Sequence, residues 1–282
     1  MVRIPKTISQ LIRDGALFIC NHSGGKDSQA MYRLLSDIIP DDQLIVVHAH
    51  LPGVEWEGVI PHIKSTIDHE YFQVQSDKTF FDLVDNRQMW PSKQHRLCTS
   101  SLKREPINKL MRRLSRDREY TQIVHCIGLR AQESSERKKK RTVTLNKKET
   151  NSLRRVYHWL PIHKLSLNQV WESWGSSTED WHRRIRLYKA GLIREALEGW
   201  PFHRVYAAGM TRLSCKVCIL ASLRDLLTSS ELDPDNFNQY VRKEKEIKHC
   251  FRMPQNGKVQ YLDEAVNAYA KKHSTDQLTL NI

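Results

Sequence analysis

The stretch from Gly15 to Leu35, "GALFICNHSGGKDSQAMYRLL", decides the fold class of this chain. Its apolar run from Ala16 to Cys20 predicts a fully buried strand, and Gln29 to Leu35 has the apolar spacing of a helix packed on a sheet. Ser23 to Ser28 is therefore a strand-to-helix turn. Its two glycines allow successive N–H groups to converge on an anion at the positive end of the helix.

Phosphate is the expected ligand of this turn, but the turn is not a Walker A loop. Cys20 stands where the first Walker glycine should be, and Asp27 stands where a Ser or Thr should follow the lysine. A glycine-rich turn can also be only a turn, so the rest of the chain has to decide.

Four further apolar runs predict strands, separated by stretches long enough for helices. They are Leu44 to Ala49, Tyr71 to Gln75, Ile123 to Leu129 and Val205 to Ala208. This alternation predicts an α/β fold, a parallel sheet with helices on both faces. Ligands collect at the carboxyl ends of such strands, so the polar stretches that follow them should share one edge. These stretches are Ser23 to Ser28, His50 to Glu57, Arg130 to Glu133 and Thr211 to Cys218.

The chain of 282 residues, 39% of them hydrophobic, is long enough for a substantial core. Its apolar runs are far shorter than the roughly 20 residues that span a bilayer. The opening "MVRIPKTISQ" lacks a signal-peptide apolar region. We therefore expect a cytoplasmic protein with no membrane partner. Beyond Ser222 the sequence becomes polar and helical, with a start signal at Asp233-Pro234, which predicts domains at 1–222 and 223–282, the second a helical C-terminal appendage.

A formal net charge of +13 favours a polyanionic partner such as nucleic acid. Much of the charge is local, because the segment from Arg130 to Arg155 holds ten basic and three acidic residues. This basic segment is expected either to bind a phosphate backbone, to lie as a solvated loop, or to act as a lid over a nucleotide.

Six stretches, taken together and in this order, resemble the phosphoadenosine phosphosulfate (PAPS) reductase family. The resemblance includes its branch of DNA-phosphorothioation ATP pyrophosphatases, the DndC and SspD type. The stretches are "SGGKDS" (23–28), "HLPGVEWEG" (50–58), "RLCTSSLKREP" (96–106), "IGLRAQESSER" (127–137), "LPIHKLSLNQVW" (160–171) and "GMTRLSCKVCI" (209–219). The resemblance implies an adenine nucleotide α-hydrolase-like (PP-loop) fold that splits ATP between its α and β phosphates.

The resemblance also implies roles for individual residues. Lys26, Asp27 and Arg130 would be catalytic, with Asp27 either holding Mg²⁺ or capping its helix, and Arg130 either gripping an anion or pairing with a nearby glutamate. Lys26 and Asp27 are expected to emerge from an exposed turn. The residues assigned to the nucleotide are Ser23, Gly24, Gly25, Lys26, Asp27, Ser28, Glu55 and Lys103.

Cys98, Cys215 and Cys218 match positions where iron-sulfur members of the family carry cluster ligands. Thr99 replaces one of the family's adjacent cysteines, so a 4Fe-4S cluster would have three protein thiolates and one open iron, unless Cys250 or a histidine supplies a fourth ligand. Thiolates also suit zinc, and thiols without a metal remain an alternative. Cys20 and Cys126 are expected to be buried small hydrophobes and Cys250 to be incidental. No histidine is assigned as a ligand.

Three functions follow from these features. The first is an ATP pyrophosphatase that adenylates an acceptor for sulfur transfer, on DNA as in phosphorothioation, with a sulfur donor such as a cysteine desulfurase as partner and with a homodimer permitted. The second is a PAPS or adenylyl-sulfate reductase, which is disfavoured because such enzymes use a cysteine near the C-terminus and none follows Cys250. The third is a non-catalytic nucleic-acid-binding module.

Overall fold

The computed structural model describes residues 3–213, 215–252 and 260–278. Within these residues the strands form a six-stranded sheet in the order β3-β2-β1-β4-β6-β5. The strands are β1 (Leu17–Asn21), β2 (Leu44–Ala49), β3 (Tyr71–Val74), β4 (Gln122–Ile127), β5 (Val143–Leu145) and β6 (Arg155–Trp159). The predicted α/β class is thus confirmed.

The sheet is parallel except at one edge. β1 lies at its centre, where Cys20 is in register with Val46 of β2 on one side and with Cys126 of β4 on the other. β5 pairs antiparallel with β6. The chain builds outward from β1 to β2 and β3 and then returns to add β4 and β6 on the opposite side. This reversal opens a crevice at the carboxyl ends of β1 and β4, where α/β sheets bind their ligands.

Helices cover both faces of the sheet. α1 and α2 pack on one face through Ile8, Leu11, Met31 and Leu35, and α6 packs on the other through Met111 and its neighbours. The helices are α1 (Lys6–Arg13), α2 (Lys26–Ser36), α3 (Val59–Lys64), α4 (Phe80–Arg87), α5 (Leu97–Thr99), α6 (Glu105–Asp117), α7 (Ser135–Lys138), α8 (Leu167–Glu172), α9 (Thr178–Lys189), α10 (Ile193–Leu197), α11 (Arg204–Ala207), α12 (Leu223–Leu232), α13 (Pro234–Glu246) and α14 (Leu262–Leu278). In the part of the chain that the structure describes, no helix is both long and apolar enough to cross a bilayer.

The strand predictions succeed for β1 to β4 and fail elsewhere. The run Val205 to Ala208 is not a strand, because it belongs to the short buried helix α11. A run of four apolar residues is compatible with either structure, and only packing decides between them. β5 and β6 were missed because they lie in or beside the basic segment, where charged residues hide the strand pattern.

The C-terminal helices form as predicted, and α13 begins at the expected signal, where the Asp233 carboxylate accepts a hydrogen bond from the Asn236 N–H at 3.0 Å. They are not detached from the rest of the chain. Phe237 and Tyr240 share an apolar cluster with Leu51, Val54 and other residues of the first 222 positions. The boundary at residue 222 remains a prediction.

Tyr206 of α11 fixes the glycine-rich turn to the loop that follows α11. Its buried hydroxyl oxygen accepts hydrogen bonds from the Lys26 N–H at 3.1 Å and the Leu213 N–H at 3.0 Å. The segment 205–208, which the sequence predicts as a strand, therefore contributes the residue that holds the glycine-rich turn in place.

We expect Tyr206→Phe to destabilise the protein, because it leaves two buried N–H groups without their acceptor, each costing about 1–3 kcal/mol. Denaturant unfolding, compared with a Tyr188→Phe control at a half-buried tyrosine of α9, measures the loss. Equal midpoints for the two variants would show that this hydroxyl does not hold the turn.

Candidate active site

The turn Ser23–Ser28 connects β1 to α2 at the carboxyl edge of the sheet. Gly24 adopts a left-handed φ of +76°, and a Cβ placed there would lie 3.1 Å from side-chain atoms of both Leu213 and Val59. The Ser28 hydroxyl donates to the Gly25 carbonyl at 2.8 Å and accepts from the Ser23 N–H at 3.2 Å. The turn is therefore tightly wound, and a glycine is required at position 24 by space as well as by φ.

Asp27 holds three parts of the site together. Its carboxylate accepts from the Lys26 ammonium at 2.9 Å and from the Arg130 guanidinium at 2.5 Å. Burial alone would raise the pKa of Asp27, but the two cations and their hydrogen bonds outweigh it, so the pKa lies below its usual value. Asp27 is therefore an ionised carboxylate with two cationic partners. It lies in the first turn of α2 but does not cap it, because the N-cap residue is Gly25.

Lys26 does not emerge from an exposed turn, and that expectation is wrong. The residue is 3% exposed, and its ammonium also donates to the Thr211 carbonyl at 3.2 Å. The ammonium lies 5.8 Å from the centre of the Trp171 ring and 5.5 Å from that of Tyr206, within cation–π range. Asp27 is more accessible, with 20% of its side chain exposed.

Arg130 is also directed inward. Its guanidinium pairs with Asp27 rather than with Glu133 or Glu136, although its backbone N–H donates to the Glu133 carboxylate at 3.0 Å. With only 7% of its side chain exposed, Arg130 holds Asp27 in place. Gly128 makes this contact possible, because a Cβ there would come within 3.2 Å of the Asp27 carbonyl.

A cavity of about 290 Å³ lies against the turn. Ser23, Asp27 and Ser28 line it, together with two arginines that were not singled out for this role, Arg137 and Arg212. Both arginines pair with Glu133 and keep part of their side chains exposed. The cavity therefore combines backbone N–H groups, hydroxyls and two cations. We name it the phosphate cavity after the ligand that the sequence predicts for the turn.

A second cavity, of about 380 Å³, lies between the sheet and the start of α6 and shares Asn21, Ser23, Ile127 and Leu213 with the phosphate cavity. Its other lining residues are mainly apolar or histidine. Burial lowers the pKa of His22 and of His125 to about 3, so both are neutral. The His22 Nδ1 accepts from the Gly24 N–H at 3.1 Å, which leaves its Nε2 carrying the proton, and this nitrogen has no partner among the described residues.

Glu55 and Lys103, which the resemblance assigns to the nucleotide, both line this second cavity. We name it the nucleoside cavity after that expectation, which remains a prediction. Lys103 lies in a π-helical turn, Ser100–Arg104, a distortion frequent at functional sites. Burial would lower the pKa of Lys103, but the charges of Cys215, Glu55 and the other two candidate cysteines outweigh burial. The pKa of Lys103 therefore lies above its usual value. Glu55 is hydrogen-bonded by two histidines, His48 at 3.2 Å and His50 at 2.8 Å.

The structure brings the three candidate cysteines together. Cys98 comes from α5, and Cys215 and Cys218 come from the loop before α12. Cys98 and Cys218 interact electrostatically with Cys215, and all three interact with Lys103. Burial raises the pKa of Cys215 to about 12 and also raises that of Cys98, while Lys103 opposes both shifts. Metal binding would deprotonate these thiols and release protons.

The surroundings of the cysteines fit a bound cluster. Tyr240 of α13 is fully buried and its hydroxyl has no hydrogen-bond partner among the described residues. Burial raises the pKa of Tyr240 well above its usual value, and the three cysteines add to the shift, so its neutral hydroxyl lies near them as a donor. The three cysteines could ligate an iron-sulfur cluster as thiolates, and the Lys103 ammonium and the Tyr240 hydroxyl could donate hydrogen bonds to its sulfurs.

Cys20 and Cys126 are fully buried in the sheet, as predicted. The polar stretch Thr211–Cys218 reaches the same edge as the other three, although it follows a helix rather than a strand, because Lys26 and Val54 hydrogen-bond to its backbone. A further groove, of about 1000 Å³, lies at the opposite edge of the sheet beside Arg154 and Arg155, and none of the candidate site residues lines it.

Comparison with known proteins gives similarities to individual proteins, among them one relative by sequence and one solved structure. The chain is 25% identical over 221 residues to the uncharacterized protein MJ0973 of Methanocaldococcus jannaschii, which covers 78% of this chain and 45% of that protein. The chain therefore spans less than half the length of this relative. Among solved structures it is similar to the U34-tRNA thiolase NcsA from Methanococcus maripaludis with its [4Fe-4S] cluster, at 14% identity, covering 92% of this chain and 86% of that one, with a TM-score of 0.34.

The family comparison covers most of the site. The model of the phosphoadenosine phosphosulfate reductase domain matches residues 18–221, a span that contains the glycine-rich turn, Arg130 and all three candidate cysteines. The chain belongs to the phosphoadenosine phosphosulfate reductase domain family.

Proposed function

We propose that this protein is an ATP pyrophosphatase that adenylates an acceptor for sulfur transfer, with nucleic acid as the acceptor. The observation that carries the proposal is the meeting of two cavities at the glycine-rich turn. One cavity is apolar and histidine-lined, as a nucleoside site requires, and the other is lined by hydroxyls and arginines, as a polyphosphate site requires.

The phosphate cavity has the groups that cleavage between the α and β phosphates needs. The N–H groups at the start of α2 and the Ser23 and Ser28 hydroxyls would bind pyrophosphate oxygens, and Arg137 and Arg212 would offset the charge that develops on the leaving pyrophosphate. Asp27 remains the candidate ligand for Mg²⁺. Lys26 and Arg130 act on the reaction through Asp27, since both are bonded to it and are turned inward.

Neutral histidines suit the recognition of a base. His22 and His125 line the nucleoside cavity, and each has an Nε2 atom without a partner among the described residues. A buried ring nitrogen without a hydrogen-bond partner lowers the stability of the protein. A bound heterocycle with hydrogen-bond donors and acceptors would supply that partner.

Sulfur chemistry would take place at the three cysteines. A cluster held by Cys98, Cys215 and Cys218 would supply an open iron able to hold sulfide. Lys103 interacts with all three cysteines and also lines the nucleoside cavity, so the sulfur site and the adenylated acceptor would be adjacent.

The basic segment favours a nucleic-acid acceptor. Lys138, Lys139, Lys140 and Arg141 are exposed and directly follow Arg137, which lines the phosphate cavity. A phosphate backbone bound by these side chains would pass close to the site of adenylation.

The central test is to incubate the protein with Mg-ATP, with and without DNA or RNA, and to quantify AMP and pyrophosphate. Release of pyrophosphate supports the proposal. In a parallel incubation with PAPS and a dithiol reductant, conversion of PAPS to sulfite and adenosine 3′,5′-bisphosphate, with oxidation of the dithiol to a disulfide, would instead identify a reductase. Nucleic-acid binding with neither reaction would identify a binding module.

We expect Arg212→Ala and Arg137→Ala each to lower kcat/KM for pyrophosphate release by about 10- to 100-fold, the equivalent of one charge-assisted hydrogen bond. Arg204→Ala is the matched control, because Arg204 has the same 47% side-chain exposure as Arg212 but pairs with Glu57. If all three variants keep the wild-type rate, the phosphate cavity is misassigned.

The double variant Cys215→Ser, Cys218→Ser should lose bound iron and acid-labile sulfide, because two of three thiolates are removed. Cys250→Ser, at another partly exposed cysteine, should retain both. Anaerobic preparations of the three proteins are compared by iron and sulfide analysis. Undiminished metal in the double variant would exclude these cysteines as the ligands.

Affinity for DNA is measured over a range of salt concentrations, and the logarithm of the binding constant is plotted against the logarithm of the salt concentration. Changing Lys138, Lys139, Lys140 and Arg141 to Ala should make the slope of this plot shallower by up to about four, whatever the DNA sequence. ATP cleavage without DNA should survive. A raised KM for ATP with unchanged DNA binding would show instead that the segment is a lid over the nucleotide.

A further inference from the structure

A second set of metal-binding side chains lies beside the nucleoside cavity, apart from the three cysteines. It consists of His48, the last but one residue of β2, with His50 and Glu55 just beyond the strand. We propose that these three residues bind a divalent transition-metal ion, of the Zn²⁺ class, with an open position facing the nucleoside cavity. This site goes beyond the proposed pyrophosphatase function, which assigns it no role.

The donor atoms already converge. The Glu55 Oε2 lies 3.2 Å from the His48 Nε2 and 2.8 Å from the His50 Nδ1, and one donor atom from each residue lies within 4.8 Å of the other two. A tetrahedral ion with bonds of about 2.0 Å holds its ligands roughly 3.3 Å apart. Two of the three separations are within about half an ångström of that value, and the two imidazoles need only close toward each other.

Hydrogen bonding fixes the orientation of His48. Its Nδ1 lies 2.9 Å from the His22 carbonyl, which can only accept, so Nδ1 carries the proton. A histidine that ligates a metal ordinarily donates its other ring N–H to a carbonyl or carboxylate in this way. The other ring nitrogen, Nε2, lies 3.2 Å from the Glu55 carboxylate and is the atom that would ligate the metal ion.

Glu55 is suited to be the anionic ligand. Its Oε2 atom faces a ring nitrogen of both histidines, and only 11% of its side chain is exposed. Two imidazole nitrogens with one carboxylate oxygen favour Zn²⁺ or a similar ion over Mg²⁺, which prefers oxygen ligands.

The scaffold that carries these ligands is firm. His48 is 2% exposed, and the His50 N–H donates to the Val74 carbonyl of β3 at 2.8 Å. Leu51 and Val54 of the intervening loop are buried, and the Val54 carbonyl accepts from the Lys216 N–H at 2.8 Å. Such a loop pays little ordering entropy when an ion binds.

His48 and Glu55 both line the nucleoside cavity, which places the unfilled coordination position toward it. Three protein ligands with a fourth position left for water or substrate is the arrangement of catalytic rather than structural zinc sites. The ion would thus meet a water molecule or an atom of the bound nucleotide.

The test uses the full chain carrying Cys98→Ser, Cys215→Ser and Cys218→Ser, which removes the thiolates that would also bind the probe. The protein is stripped with a chelator and titrated with Co²⁺, followed by visible absorbance. We expect one Co²⁺ per chain, displaced by Zn²⁺, with tetrahedral d–d bands and no thiolate charge-transfer band. Adding His50→Ala should weaken Co²⁺ binding by more than the roughly 10- to 100-fold that loss of an outer-shell partner costs, because His50 is a direct ligand.

His182→Ala, at an exposed histidine of α9, is the control and should bind Co²⁺ as its parent does. The proposal is overturned if the folded triple variant retains no Co²⁺, or if the His50 and His182 changes have equal effects. If the triple variant does not fold, the same histidine changes are made in the wild-type chain. There, loss of one Co²⁺ equivalent with the thiolate band intact supports the site, and an unchanged stoichiometry refutes it. Pyrophosphatase activity is not a readout, so the two proposals fail separately.

Discussion

The double ion pair of Asp27 is the interaction on which the site depends. It joins the first turn of α2 to Arg130 beyond β4, while Lys26 extends the contact to the Thr211 carbonyl. Two cations and one carboxylate buried together stabilise one another, whereas loss of one partner from a buried pair costs about 3–5 kcal/mol. Three loops from distant parts of the sequence are thereby held in one arrangement around the phosphate cavity.

The order of the strands explains why two cavities meet at this point. Because the chain reverses its direction of sheet growth between β1 and β4, the loops after these strands diverge and leave a crevice. The glycine-rich turn forms one wall and Gly128 allows the opposite wall to approach it closely. α6 then covers the open face beside β4 and β6, where His125 and His158 lie side by side in register. The two cavities therefore adjoin each other at the glycine-rich turn.

The C-terminal helices contribute to the surroundings of the three cysteines. Tyr240 stacks on Trp90, with ring centres 5.6 Å apart, in the cluster against which Cys98 and Cys215 pack. The apolar cluster excludes water from two of the cysteines, and the tyrosine supplies the nearby hydroxyl. The surroundings of the cysteines thus depend on residues beyond the segment that matches the family.

The sequence alone determined the features that depend on local patterns: the buried strand β1, the glycine-rich turn, the helix that follows, three more strands, and the cysteine and arginine motifs that mark the family. Local patterns do not determine which way a side chain turns. Lys26 lies inward among Asp27, Trp171 and Tyr206, and Arg130 lies inward against Asp27. The segment Arg204–Ala207 forms a buried helix rather than a strand. Loop positions set by the whole sheet bring Arg137 and Arg212 to Glu133. They also bring His48 and His50 to Glu55. Only the tertiary structure decided these, because each depends on contacts between residues that are brought together by folding.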